Sequence, residues 1–157
     1  MTPRAPAISQ SNQRVTIMGD EPHPSRATIA ASPTVVWGAA KAVYADMGVP
    51  VTIENPSAHQ IGNNSFYKTR TFAGEPMAQL VDCGTGMDGP KAASYRIYMS
   101  LLTIIQPDGK GGTDVQTTFV PIGQDMSGGA SDRIPCGTTG HLEEYFLSHL
   151  QSAVGKS

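Results

Sequence analysis

Two β-rich stretches in the second half of the chain, SYRIYMSLLTII at residues 94–105 and TDVQTTFVPI at residues 113–122, decide the fold. Both are dominated by β-branched, aromatic and other apolar residues, which favour strands. The segment PDGKGG at residues 107–112 joins them and contains the proline, aspartate and glycines that are typical of turns. The pattern predicts a long antiparallel hairpin as the dominant element of a sheet.

Both faces of this hairpin carry bulky side chains. Along its first strand, one alternating set comprises Tyr95, Ile97, Met99, Leu101 and Thr103, and the other comprises Arg96, Tyr98, Ser100, Leu102 and Ile104. A strand that is apolar on both faces is covered on both faces, by the domain itself or by a partner. We therefore expect Tyr98, Leu102 and Ile104 to belong to an interface.

The clearest helix signal precedes the hairpin. Ser32 is placed to cap a helix, Pro33 suits the first helical position, and Gly48 supplies a left-handed stop. Between them, apolar residues recur at three- and four-residue spacing, at Val36, Ala39, Ala40, Val43 and Met47. The sequence predicts a helix from Pro33 to Met47.

Two aromatic residues form a second seam along the same helix. Trp37 is the lone tryptophan, and Tyr44 follows seven residues later. The pair either packs on the sheet or belongs to a contact surface, where tryptophan and tyrosine are enriched. Trp37 and Tyr44 therefore join the candidate interface residues.

The C-terminal segment shows a further amphipathic pattern. Thr138 or Thr139 can cap this helix, and Glu143 and Glu144 in its first turn favour the helix dipole. Apolar residues repeat every fourth position, at Leu142, Phe146, Leu150 and Val154. The predicted fold class is α+β, an antiparallel sheet with the long helix of the N-terminal half and this C-terminal helix packed on one face.

The remaining segments are shorter and less regular. We expect a short strand at residues 59–62, a turn at residues 63–64, a strand at residues 65–72 and a mobile loop at residues 124–135. Residues 76–81 fit either a short helix or a strand.

The chain of 157 residues has the length of one domain. Residues 1–25 are rich in proline, serine, glutamine and asparagine, and we interpret them as a flexible N-terminal arm. Residues 26–157 then form a single α+β domain. No stretch approaches the roughly 20 apolar residues that span a bilayer, so we expect no transmembrane segment.

The two cysteines, Cys83 and Cys136, each begin a segment rich in glycine and threonine. Neither belongs to a Cys-x-x-Cys pair or has a histidine at zinc-ligand spacing, so the simplest interpretation is a disulfide. Disulfides persist in oxidising compartments, which favours an exported or periplasmic protein over a cytoplasmic one. The alternative is two unrelated buried thiols in a cytosolic domain.

The order of elements resembles the helix-grip arrangement of the Bet v 1-like and START-like ligand binders, and of the BamC-type outer-membrane assembly lipoproteins. The resemblance rests on the opening TIAASPTVVW at residues 28–37 and on the closing helix, and it spans residues 26–154. It implies a sheet gripped by two helices. It transfers no functional residue, because a shared fold does not imply a shared function.

Composition and motifs argue against several chemistries. A net charge of −2 provides no basic field for nucleic acid. The string GTGMDG at residues 84–89 matches a dinucleotide fingerprint, but Pro90 and a β-rich run follow it in place of a helix. No hydrolase nucleophile motif and no metal-ligand spacing occurs, so we predict no catalytic residues, no cofactor and no metal.

Two functions are favoured over an enzyme. The first is a non-enzymatic accessory or scaffold domain that docks on a protein partner in a larger envelope or membrane-bound assembly. The alternative, which the helix-grip resemblance implies, is a carrier of a small apolar ligand, with a pocket between the sheet and the helices. A filled core with an exposed apolar strand face favours docking, whereas an internal cavity favours the carrier.

Overall fold

The structure is a computed structural model that describes residues 25–127 and 132–155. Within these residues the helices are α1 (Pro33–Met47), α2 (Met77–Leu80) and α3 (His141–Gly155). The strands of the main sheet are β1 (Ser25–Ile29), β2 (Ile53–Asn55), β3 (Gln60–Thr69), β4 (Arg96–Pro107), β5 (Thr113–Gln124) and β6 (Arg133–Pro135).

Shorter pieces join these elements. There are 3₁₀ turns at Pro56–Ala58 and Lys91–Ala93. Two-residue strands pair Thr71–Phe72 with Glu75–Pro76, Thr85–Gly86 with Gly89–Pro90, and Val81–Asp82 with Gly137–Thr138. None of the helices in the described residues has both the length and the apolar character to cross a membrane.

The main sheet is antiparallel, with the strand order β6-β5-β4-β3-β2. Its centre is the predicted hairpin, in which β4 and β5 pair along their whole lengths, from Arg96 opposite Gln124 to Pro107 opposite Thr113. The other edge of β5 is shared by β1, which pairs with its first residues, and β6, which pairs with its last.

Both long helices pack on the same face of this sheet. Every second residue of β4 from Ile97 to Ile105 is buried beneath them, as is every second residue of β5 from Thr113 to Gly123. The helices also contact each other, since the rings of Tyr44 on α1 and Phe146 on α3 meet edge to face at 5.4 Å. The predicted α+β fold with two helices on one face is confirmed.

Helix α1 has the bounds and caps that the sequence predicts. The Val35 N–H donates to the Ser32 hydroxyl at 3.3 Å, and Gly48 adopts the left-handed conformation with φ 77°. Residues 76–81, for which the sequence allowed two structures, contain both: α2, followed by the strand Val81–Asp82.

The predicted turn at Asn63–Asn64 is wrong, because β3 runs through it without a break. In the pairing with β4, Asn64 and Ser65 together lie opposite Ser100, which is a β-bulge. The Asn63 side chain stabilises the bulge, since its amide donates to the Pro50 carbonyl at 2.8 Å and its oxygen accepts the Ser65 N–H at 2.8 Å. The turn-forming residues therefore bend one strand and do not separate two.

The predicted loop at residues 124–135 is also partly wrong. Gln124 belongs to β5, and β6 pairs with residues Ile122–Gln124 of that strand. Residues 128–131 lie outside the described residues. The predicted N-terminal arm lies outside them too, except for Ser25, which begins β1.

The side chain of Tyr44 crosses the core to the middle of the sheet. Its hydroxyl lies 2.9 Å from the Thr103 hydroxyl, 3.2 Å from the Leu101 carbonyl and 3.5 Å from the Ile61 carbonyl. Tyr44 is fully buried, and this burial raises the pKa of its phenol well above the ordinary value. One hydroxyl thus joins α1 to both β3 and β4.

The predicted disulfide between Cys83 and Cys136 is confirmed. Both cysteines are buried, and the bond lies over Gly123 of β5, where an added Cβ would come within 3.2 Å of both sulfur atoms. A disulfide is compatible with an oxidising compartment.

The substitution Tyr44→Phe removes the hydroxyl and its hydrogen bonds to β3 and β4. We expect the free energy of unfolding at pH 7 to fall by about 1–2 kcal/mol in urea denaturation. Because the pKa of Tyr44 is raised in the folded state, the contribution of its hydroxyl to the free energy of unfolding is complete below about pH 10. Above that pH the contribution falls by up to about 1.4 kcal/mol per pH unit. The difference between the wild type and Tyr44→Phe should therefore narrow at alkaline pH. The control is Tyr67→Phe, since Tyr67 is 53% exposed; equal losses in both variants would contradict this assignment.

Reducing the disulfide should destabilise the fold. The two cysteines are 53 residues apart, and closing a loop of that length stabilises a protein by about 4 kcal/mol in the chain-entropy model. Urea titrations with and without a reductant measure this loss, and a Cys83→Ala/Cys136→Ala variant should not respond to the reductant. Two alkylatable thiols in protein taken from its native compartment would argue against both the bond and an oxidising location.

Candidate functional site

The face of the sheet opposite α1 and α3 is the candidate site, and we call it the open face. It is formed by the residues of β4 and β5 that alternate with those buried beneath the helices. Their side chains are half-buried from Tyr98 to Ile104 on β4 and from Gln116 to Gln124 on β5. Directly opposed residues of antiparallel strands share a face, so the register fixes which side chains are neighbours. The open face spans the eleven residues from Arg96 to Gln106 along β4, a length of about 33 Å.

Aliphatic residues form a strip along the middle of the open face. The members of this aliphatic strip are Leu102, Ile104, Val120 and Ile122. Gly62 lies opposite Leu102 on β3, and a Cβ there would clash with the Leu101 carbonyl oxygen. Because Gly62 has no side chain, the Leu102 side chain packs directly over its backbone.

Two tyrosines and two arginines lie at one end of the strip, and we call them the aromatic–arginine cluster. The rings of Tyr67 and Tyr98 are 5.7 Å apart. The Arg96 guanidinium carbon lies 4.6 Å from the centre of the Tyr67 ring, and that of Arg133 lies 3.8 Å from the centre of the Tyr98 ring. Stacking of this kind restrains both guanidinium groups.

Hydrogen bonds further restrain this cluster. The Tyr98 hydroxyl accepts from Nη1 of Arg96 at 3.3 Å and donates to the Gln124 side chain at 3.0 Å. The Arg96 guanidinium lowers the pKa of the Tyr98 phenol, and the same contact raises the pKa of Arg96. The end of the open face at Arg96 and Arg133 is therefore positively charged.

The opposite end of the open face is a shallow, polar cleft. It has a volume of about 250 Å³, and its lining includes Arg26, Gln106, Asp114 and Gln116. The Thr28 hydroxyl donates to Asp114 at 3.0 Å, so this carboxylate is already engaged within the domain. The open face thus runs from a cationic, aromatic end across apolar residues to a mixed polar end.

The five predicted interface residues do not form one site. Tyr98, Leu102 and Ile104 lie together on the open face. Tyr44 is buried in the core, so the interpretation that it packs on the sheet is the one that fits, and it is not a surface residue.

Trp37 lies on the helix-covered side, near β2. Its indole N–H donates to Glu54 at 3.1 Å, and Lys41 pairs with the same carboxylate at 3.1 Å. Trp37 also lines an open groove of about 300 Å³ with Pro33, Pro56 and His59. This groove is separate from the open face.

Side chains fill the space between the helices and the sheet, where the carrier hypothesis places a pocket. Tyr44, Leu101, Phe119 and Phe146 meet there, and each is at most 1% exposed. The two grooves described above lie at the surface.

Several other sequence motifs have structural roles. The GTGMDG string forms a two-residue hairpin followed by a 3₁₀ turn, so it has no helix N-terminus to hold a pyrophosphate. In the described residues no group of three or more histidine, cysteine, aspartate or glutamate side chains is placed to hold a metal ion. Asn63 matches a glycosylation triplet, but it is buried and its amide is hydrogen-bonded.

Sequence reasoning missed Tyr67, Arg96 and Arg133 as members of the site. They lie on three different strands and meet only through the pairing of β3 with β4 and of β5 with β4 and β6. The local signal was the alternation that places Arg96 and Tyr98 on one face, but nothing near Arg133 indicated a strand. Comparison of the chain with protein-family models, with curated proteins and with solved structures found no match.

The phenol of Tyr98 should report the contact with Arg96. In Arg96→Gln, we expect the Tyr98 pKa to rise toward the ordinary tyrosine value, because the main group that lowers it is gone. The measurement is a ¹³C NMR titration of the tyrosine rings, with Tyr98 assigned by its loss in Tyr98→Phe. Lys110→Gln removes a charge at the far turn of the hairpin and should leave the titration unchanged. An unaltered Tyr98 pKa in Arg96→Gln would contradict the described geometry.

Proposed function

We propose that this chain is a non-enzymatic accessory domain that docks on a protein partner through the open face, within a larger envelope or membrane-bound assembly. The observation that carries the proposal is the aliphatic strip bordered by the aromatic–arginine cluster, on a sheet whose other face is packed beneath helices. Tyrosine and arginine are enriched among the residues that dominate binding energy in interfaces.

The apolar residues of the open face are not fully removed from water. Leu102, Ile104, Val120 and Ile122 lie together on it and are only half-buried. An apolar strip on a sheet face is stabilised when a partner removes it from water, by about 25 cal/mol per Å² of apolar surface. The charged cluster at one end gives such an interface a defined orientation.

The disulfide supports a proposal about the protein's location. We infer that the protein is exported, with the periplasm or an equivalent compartment favoured over the cytoplasm, because structural disulfides persist where the environment is oxidising. A docking role in the cell envelope is consistent with that location.

The experiment that tests docking is site-specific photo-crosslinking in native cells. A photoreactive residue replaces Ile104 on the open face or, as a control, Ala42 on the exposed side of α1. After detergent solubilisation, we expect one stoichiometric protein adduct from position 104 and none from position 42. Leu102→Glu should reduce the adduct at least tenfold, because it places a charge in the apolar contact.

Two results would overturn the proposal. Equal labelling from positions 104 and 42 would show that the open face has no preferred partner. Absence of an adduct together with an extractable apolar small molecule would instead favour the carrier hypothesis. Thermal unfolding of Leu102→Glu, compared with the wild type, checks that any loss of labelling is not caused by unfolding.

A further inference from the structure

The aromatic–arginine cluster holds two cations that lack a carboxylate partner. Within the described residues, neither Arg96 nor Arg133 forms an ion pair; the pairs that do form are Lys41 with Glu54 and His141 with Glu75. Nε of Arg96 is buried and has no hydrogen-bond acceptor there. A buried N–H without an acceptor is costly, and a small shift of the Arg96 side chain that brings Nε to a ligand oxygen would remove that cost.

The tyrosine rings leave the guanidinium edges available. An arginine stacked on an aromatic ring contacts it through its flat face, so the N–H groups around its rim still point away from the ring. Nη1 of Arg96 binds the Tyr98 hydroxyl, and the same hydroxyl is held by Gln124. The donors are thus restrained before any ligand arrives, which reduces the entropic cost of binding.

The register places the two arginines in one row. Arg96 lies opposite Gln124 on β5, and Gln124 lies opposite Arg133 on β6. In the next row, Tyr98 lies opposite Ile122, the first member of the aliphatic strip. A ligand that reaches both guanidinium groups is therefore directly beside apolar surface.

We propose that the aromatic–arginine cluster binds the carboxylates of an acidic segment of the protein partner, with neighbouring apolar side chains of that segment lying on the aliphatic strip. The proposal rests on the proposed function and specifies the chemistry of the partner. Arginine matches the planar carboxylate with two parallel hydrogen bonds, and such charge-assisted bonds are stronger than neutral ones. The phosphate backbone of a nucleic acid matches this site less well, because the aliphatic strip beside the cluster is apolar and the chain carries a net charge of −2.

The test uses two synthetic ten-residue peptides, each long enough in extended form to span the open face. One begins with two glutamates and continues with alternating leucine and threonine, and the other has glutamine in place of both glutamates. Binding is followed by ¹H–¹⁵N NMR, including the side-chain Nε–H signals of Arg96 and Arg133. We expect the acidic peptide to bind about tenfold more tightly than its glutamine counterpart, and both Nε–H signals to shift.

Variants of the full chain assign the effect to the cluster. In Arg96→Gln/Arg133→Gln the preference for the acidic peptide should disappear, whereas Lys110→Gln, at the distant hairpin turn, should retain it. Arg96→Lys/Arg133→Lys keeps the charge but loses the planar donors, so only part of the preference should remain. Thermal unfolding of each variant shows whether the domain is still folded.

The outcomes separate this inference from the proposed function. If both peptides bind equally and Leu102→Glu weakens both, the open face is a docking surface but recognition of an acidic segment is wrong. If neither peptide binds at millimolar concentration, the inference is wrong, and the crosslinking from position 104 still decides the proposed function. If inorganic phosphate or phosphatidylglycerol vesicles bind more tightly than the acidic peptide through the same arginines, the ligand is a phosphate group or a lipid surface and the proposed partner is overturned.

Discussion

The hydroxyl of Tyr44 is the contact on which the arrangement of layers depends. A buried hydroxyl must find partners, and this one finds them on β3 and β4 next to the centre of the sheet. That requirement fixes the rotation of α1 about its axis and its position along the strands. Phe146 then packs against the Tyr44 ring, so the position of α3 follows from that of α1. The hydroxyl and ring of Tyr44 thus connect α1 to both the sheet and α3.

The position of the helices on one face of the sheet determines which residues form the open face. Once one alternating set of β4 lies beneath the helices, the other set must point away, because successive side chains of a strand point to opposite faces. Pairing of β3, β5 and β6 in their observed registers then aligns Arg96 with Arg133, and Tyr98 with Tyr67. The candidate site is thus a product of sheet register and requires no special loop.

Local signals explain what the sequence could predict. The cap at Ser32, the proline at the first helical position and the glycine stop are all within or beside α1, so its bounds followed residue by residue. Asn63–Asn64 misled the prediction, because a bulge and a turn use the same residue types and only the partner strand distinguishes them. Trp37 and Tyr44 could not be separated by periodicity, since seven residues are nearly two full turns. They differ by about 10 Å along the helix axis, which places Tyr44 over the sheet and Trp37 near β2.

The disulfide links the stability of the fold to the geometry of the site. Cys136 directly follows β6, and its N–H donates to the Pro121 carbonyl of β5 at 3.2 Å. The bond to Cys83 lies on the helix side of β5, over Gly123. On the open side, Arg133 of β6 stacks on Tyr98. A strand of three residues at a sheet edge has few ladder hydrogen bonds of its own, so its position depends on the covalent link beside it. We therefore expect reduction of the disulfide to loosen β6 and, with it, the position of Arg133 on the open face.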